Sequence, residues 1–236
     1  AFPSVNKNTA RLSASNTKVS SSPALQNLSG LLDGDKETAL LFTEKNDQPV
    51  TIDFQADKPF TLRSFQIYPA HHPIQSTARL QVKENNSFRT IAEFKIDRFN
   101  ANPNVGFDPY APVVVSVPAT TAGEFRLELN GIAPGSGLSE VVFSSCPAVE
   151  RYPEKTLAKM FQTPLPYWHE YQWPVQPEAD DPSLIVDPDQ VLDISSCLQG
   201  DRLVWKAPAG DWTILRTGML PTGVTNSPAD PEATGL

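Results

Sequence analysis

Apolar and polar residues alternate with a period of two through most of the first 147 residues. Val50-Thr-Ile-Asp-Phe54 has the pattern of a half-buried strand. In Phe60-Thr-Leu-Arg-Ser-Phe-Gln-Ile-Tyr68 the apolar positions are Phe60, Leu62, Phe65 and Ile67, so the phase slips by one residue after Leu62. A β-bulge absorbs such a slip. Arg79–Lys83 and Phe88–Phe94 are set to pair across Glu84-Asn-Asn-Ser87, whose residues suit a tight hairpin turn. Val113–Val117 is strongly β-branched, Glu124–Leu129 alternates cleanly, and Leu138–Phe143 closes the series. Short strands at this spacing, with no helical period between them, predict an all-β sandwich.

The pattern changes after Cys146-Pro147. Pro153–Phe161 predicts one short helix, with proline in its first turn and Leu157, Met160 and Phe161 on one face. Thr163–Pro174 is too proline-rich for regular structure, and Glu178–Pro182 reads as an acidic surface loop. Val191–Ile194 and a hairpin turning at Pro208, Ala209, Gly210 and Asp211 predict a second, smaller β-unit. Trp205 and Trp212 flank that turn as a cross-strand packing pair. The expected organisation is a sandwich over 1–147, a linker over 148–186 containing the helix, and a small β-unit over 187–236. Pro221 to Leu236 is polar and proline-punctuated and closes no element, so the expectation is a portion of a larger protein.

Composition narrows the functions. The chain has 236 residues, 39% of them hydrophobic, and 23 prolines, which suits short strands with irregular connections. A net charge of −8 with no basic block argues against nucleic-acid binding, which needs clustered Lys and Arg. No apolar run approaches membrane-spanning length, and the first residues are no signal peptide. Cys146 and Cys197 are too few for a disulfide scaffold and too far apart for a zinc site, which leaves two thiols or one disulfide.

Two resemblances emerge from these segments. Asn27-Leu-Ser-Gly-Leu-Leu-Asp-Gly-Asp-Lys-Glu-Thr38, followed by Gln48-Pro-Val-Thr-Ile-Asp-Phe54 and closed by Leu138-Ser-Glu-Val-Val-Phe143, resembles discoidin-like, galactose-binding-type jelly-rolls. The aromatic expected after the Thr is replaced by Ala39-Leu-Leu-Phe42. Trp205–Gly218, then Thr222–Pro228 and Ala233–Leu236, is similar to a block of glycoside hydrolase family 106, the α-L-rhamnosidases. That resemblance implies a jelly-roll module accompanying a rhamnosidase barrel in a secreted or periplasmic bacterial enzyme, the barrel following Leu236.

Candidate chemistry is sparse. Asp33, Asp35 and Thr38, with Glu140 from the last strand, form a candidate calcium site. Short carboxylates two apart around a glycine can wrap a hard cation, and discoidin-like domains often hold a structural calcium at these four positions. The alternative is a plain Asp-Gly turn. Asp180 and Asp181 read as a solvated loop, so no pair of carboxylic acids is assigned to glycoside hydrolysis. Trp168, Tyr171 and Trp173 are candidate sugar-stacking residues, or else they anchor the linker onto the sandwich. His71 and His72 lack a third metal ligand and read as a surface loop. No nucleophile elbow, phosphate loop or dinucleotide fingerprint is present. The expected role is a non-catalytic, monomeric accessory region of an α-L-rhamnosidase-like enzyme acting on plant polysaccharide, itself inactive, supporting the barrel and contacting carbohydrate. A free-standing carbohydrate-binding module and a protein-binding or adhesion domain are the alternatives.

Overall fold

The computed structural model describes residues 1–5, 9–44, 48–98, 110–153, 176 and 178–218. Its strands, in chain order, are β1 (Phe2–Pro3), β2 (Thr17–Ser22), β3 (Leu40–Leu41), β4 (Val50–Pro69), β5 (Ile74–Glu84), β6 (Ser87–Arg98), β7 (Val113–Asn130), β8 (Gly137–Ser144), β9 (Leu198–Gln199), β10 (Arg202–Leu203) and β11 (Trp212–Thr213). Two compact units result, one of residues 6–184 and one of residues 1–5 with 185–236.

The larger unit is the expected all-β jelly-roll sandwich, made from a single network of antiparallel strands ordered β3-β8-β4-β7-β5-β6, with β2 also on β4. Segments expected as separate strands are joined. Val50–Phe54 and Phe60–Tyr68 are the two halves of β4, and Val113–Val117 and Glu124–Leu129 the two halves of β7. The first half of β4 pairs with β2 and with the second half of β7, and its second half pairs with β8 and with the first half of β7. The register breaks between Gln55 and Phe60, where the sheet folds over, and again between Leu62 and Ser64, the place where the apolar phase slips. Breaks of this kind bend a strand sharply, so one sheet becomes two facing layers.

Aromatic rings fill the space between them. Phe143 of β8 lies 4.8 Å from Phe54 and 5.4 Å from Phe125, both in the other layer, and 4.7 Å from its cross-strand neighbour Phe65. These tilted contacts suit the ring quadrupole better than face-to-face stacking. The 3₁₀ turn Leu28–Leu32 plugs Leu31 and Leu32 into the same core. The β5–β6 hairpin turns at Asn85 and Asn86, both left-handed at φ 46 and 67, as a two-residue primed turn requires. Outside, Arg126 forks onto Asp53 at 2.6 and 2.8 Å and stacks on Phe88 at 3.7 Å.

The registers gather connections at one end of the sandwich. Ile67 lies opposite Val113, Pro69 opposite Leu138, Ile74 opposite Arg98, and Val50 opposite Leu129. The turns 23–39, 70–73 and 131–136 and both ends of the β6–β7 connection therefore share that end. Arg98 is buried there and donates to the carbonyls of Asp97, Ala111 and Pro112. β8 reads almost wholly buried, because Glu140 and Ser144 on its outer face are covered as well as the apolar residues on its inner face.

The smaller unit departs from expectation. No strand forms at Val191–Ile194, and the residues on either side of Pro208–Asp211 do not pair with each other. Instead β10 pairs with β9, and β11 pairs with β1, so residues 1–5 belong here and not with the sandwich. Pro208 offers no N–H, Gly210 sits at φ 114, and the Trp212 indole N–H closes the turn on the Pro208 carbonyl at 3.1 Å. The backbone of β11 is left to the N-terminal residues, where the Ser4 N–H donates to the Asp211 carbonyl at 2.8 Å and Leu192 bonds Ala1. Trp205 and Trp212 do form the expected pair, edge to face at 5.3 Å. Cys146, buried in the larger unit, and Cys197, half-buried in the smaller, are both thiols. Of the expected helix at 153–161, Tyr152 and Pro153 are helical and the rest lies outside the described residues.

Gly137 generates a test of the packing at the loop end. A Cβ there would lie 2.5 Å from the Leu40 carbonyl oxygen and 3.2 Å from the Ala70 Cβ. Gly137→Ala is expected to displace β3 and cost about 1–3 kcal/mol in urea unfolding, whereas Gly123→Ala, which meets nothing within 4 Å, is expected to cost less.

Candidate functional site

The 3₁₀ turn that buries Leu31 and Leu32 delivers the next six residues to the surface beside β8. There Asp33 and Asp35 organise the loop with their own side chains. Asp33 Oδ1 accepts from the Asp35 N–H at 2.7 Å, and Asp35 accepts from the Glu37 N–H at 2.9 Å and the Thr38 hydroxyl at 2.9 Å. These are the local side-chain to backbone bonds that make Asp a turn former. The Gly34 N–H donates across to Glu140 Oε2 at 3.3 Å, which joins the loop to β8.

Glu140 is the electrostatic focus. It is 6% exposed, lies opposite Tyr68 in the β4–β8 ladder, and accepts that one bond from Gly34 among the described residues. Burial pushes its carboxyl up to about 7, with further upward pressure from Asp33 and Asp35 and relief from the Gly34 amide and Lys36. The Lys36 ammonium sits 4.2 Å over the Tyr68 ring, whose hydroxyl donates to Gln66 at 3.1 Å. Backbone bonds from Glu37 and a hydroxyl bond from Thr38 hold Asp35 below the usual carboxylate range.

Of the four candidate calcium positions, Asp33, Asp35 and Thr38 lie on this loop and Glu140 on β8, with Thr38 bonded to Asp35 and the Gly34 N–H to Glu140. Among the described residues, no group of three or more His, Cys, Asp or Glu side chains is gathered so as to hold a metal ion. Trp168, Tyr171 and Trp173 lie outside the described residues. His71 and His72 occupy an exposed turn at the loop end, and His71 stacks on Tyr110 at 5.4 Å. Asp180 is not merely solvated, because it receives a forked pair of bonds from Arg63. The Lys36–Tyr68 contact and the Arg63–Asp180 pair were not read from the sequence. The outward phase of Tyr68 was a usable signal for the first, while 117 residues separate the partners of the second.

No helix among the described residues is long and apolar enough to cross a membrane. A family model described as alpha-L-rhamnosidase, Glyco_hydro_106, matches residues 4–236. Solved structures similar to the chain include the family 32 carbohydrate-binding module of Clostridium perfringens NanJ in complex with galactose (14% identity, TM-score 0.47, covering 58% of this chain and 98% of that one). A second Clostridium perfringens CBM32 domain, in complex with GalNAc-β-1,3-galactose, is 19% identical at TM-score 0.46 and covers 57% and 99% of the two chains. The C-terminal domain of a chitobiase from Bacteroides fragilis is 17% identical at TM-score 0.44, covering 57% and 96%. No curated protein sequence matches the chain significantly.

Glu140 gives a pH prediction with a definite sign. A carboxyl raised from 4.5 to about 7 in the folded state favours folding while protonated. Its contribution is complete below pH 4.5 and is lost as pH rises to about 7, a swing of about 3 kcal/mol. In metal-free buffer, Glu140→Gln is expected to stabilise the chain relative to wild type above pH 7, and the difference should vanish below pH 4.5. Urea unfolding of both proteins across that range checks it, and a difference independent of pH contradicts it.

Proposed function

The chain belongs to the α-L-rhamnosidase family, and we propose that its 236 residues form a non-catalytic accessory region that supports the catalytic barrel of such an enzyme and contacts carbohydrate. The observation that carries this reading is the state of the smaller unit. None of its described residues is buried, and Ile185, Val191, Leu198, Val204, Ile214 and Leu215 are all exposed. Described residues of which none is buried supply little of the apolar burial that holds a fold of this size together. Residues of this kind suit an interface with a larger folded body, and in a family of glycoside hydrolases the catalytic barrel is the natural partner.

Carbohydrate contact falls to the sandwich and its linker, where Trp168, Tyr171 and Trp173 supply faces that stack on pyranose rings. Plant polysaccharide bearing rhamnose is the substrate class, and its size places the enzyme outside the cytoplasm, secreted or periplasmic. The accessory region acts as a monomer. Calcium belongs to the same reading: Asp33, Asp35, Thr38 and Glu140 would hold it, and bound there it would neutralise a buried carboxyl and pin the loop.

Two measurements test the proposal. Titration calorimetry of the chain with rhamnose and rhamnogalacturonan fragments is expected to show binding that Trp168→Ala and Trp173→Ala weaken, and the chain alone is expected to release nothing from a chromogenic rhamnoside. Hydrolysis by the purified chain would overturn the non-catalytic role. Undiminished sugar binding by residues 1–150, which lack Trp168, Tyr171 and Trp173, would instead favour a free-standing module. For calcium, Tm at pH 8 is expected to rise when calcium replaces chelator in wild type and to stay unchanged in Glu140→Gln; no rise in wild type rejects the site.

A further inference from the structure

After β8 the chain continues along residues 145–153, and residues 176 and 178–184 pack on the same unit. Residues 145–153 are well anchored. The Ser64 hydroxyl donates to the Cys146 carbonyl at 2.7 Å, and the Arg151 N–H to the Val114 carbonyl at 3.0 Å. The Ser116 N–H reaches the Glu150 carboxylate at 3.4 Å. At 176, Gln176 bridges back to this stretch, accepting from the Glu150 N–H at 3.1 Å and donating to the Ala148 carbonyl at 3.4 Å.

Residues 178–184 are held differently. None of them is buried. Their remaining hydrogen bonds are internal: Asp181 accepts from the Ser183 N–H and from the Leu184 N–H. Among the described residues, every hydrogen bond from 178–184 to the rest of the unit ends on one side chain, Arg63. Its Nε and Nη2 donate to the two carboxylate oxygens of Asp180 at 2.6 and 2.7 Å, while Nη1 donates to the Ser145 carbonyl at 3.1 Å. One guanidinium therefore ties Ser145 and Asp180 together. The Arg63 side chain is 17% exposed and that of Asp180 45%, so the pair is sheltered on the sandwich side and open to solvent on the other. Asp180 keeps Arg63 above the usual guanidinium range, with help from Asp181 and Cys146, and Arg63 in turn lowers Asp180.

We propose that residues 178–184 are a strap fastened to the sandwich by the single Arg63–Asp180 ion pair, and that breaking this pair releases the strap alone. This goes beyond the accessory role and does not depend on it. A segment with no fully buried residue, and only Ala179, Asp181 and Leu184 half-buried, has little beside its few bonds to set against the entropy of a free chain. Removing the forked, charge-assisted pair leaves that entropy unopposed. Because the pair is half open to water, salt weakens it, whereas the apolar core of β2 to β8 is indifferent to ionic strength. Release is thus local.

Hydrogen exchange on the whole 236-residue chain tests this, comparing wild type with Asp180→Ala, Asp180→Asn and Arg63→Lys. Asp180 is a surface residue, so its variants fold even where Arg63 variants do not. The expected result is roughly tenfold faster exchange at the hydrogen-bonded Ser183 and Leu184 amides in both Asp180 variants and an intermediate change in Arg63→Lys, with β4, β7 and β8 amides unchanged. Raising salt to about 1 M should speed the strap in wild type and leave Asp180→Ala unaffected. Unchanged exchange at 178–184 in Asp180→Ala overturns the proposal. Loss of protection throughout the sandwich overturns it too, because the pair would then belong to the global fold.

Discussion

Everything in the larger unit depends on two strands turning back on themselves. β4 and β7 each cross from one layer to the other, and their halves stay paired on both sides of the fold. That arrangement brings Phe54 and Phe125 against Phe65 and Phe143 and closes the core. Phe42, Phe54, Phe65, Phe125 and Phe143 are among the most fully buried side chains. Truncating one such ring costs about 3–5 kcal/mol, against 0.2–1 kcal/mol for an exposed ion pair (about an order less). The outer lattice of Arg79, Lys83, Arg89 and Arg126 with their carboxylates therefore tunes the surface, and the aromatic core decides the fold.

The same folding-over fixes the candidate site. With the loop of Asp33 to Thr38 bonded to its outer face through the Gly34 N–H, β8 is covered on both sides. A carboxylate on its outer face is then a buried charge, and Glu140 occupies that position. The loop that meets it is anchored from beneath by Leu31 and Leu32, and it sets Asp33, Asp35 and Lys36 to act on that carboxyl. The site is thus a consequence of core topology: the apolar turn before Asp33 and the register of Tyr68 with Glu140 set its geometry.

Where burial imposed a period, the sequence could be read. The alternation in Val50–Phe54 and Glu124–Leu129, the phase slip after Leu62 and the paired asparagines of the β5–β6 turn each carried their structure on their face. The continuity of β4 through Ala56–Pro59 was hidden, because residues where a sheet folds over are exposed and follow no period. Strands of two residues have no period either, so the partners of β9, β10 and β11 were open. The turn residues around Pro208 suggested a hairpin that Phe2 and Pro3 displaced. Arg63 and Asp180 were invisible for a different reason, since two charges far apart in sequence leave no local signature of their pairing.

In the proposed role the smaller unit is one side of an interface whose other side is the enzyme's catalytic barrel. Hydroxyl-radical footprinting of Ile185, Val191, Leu198, Ile214 and Leu215, in this chain alone and in a polypeptide that carries the barrel, addresses it directly. Heavy oxidation of these side chains in the chain alone and marked protection in the longer polypeptide is the predicted result. Equal oxidation in both would contradict it.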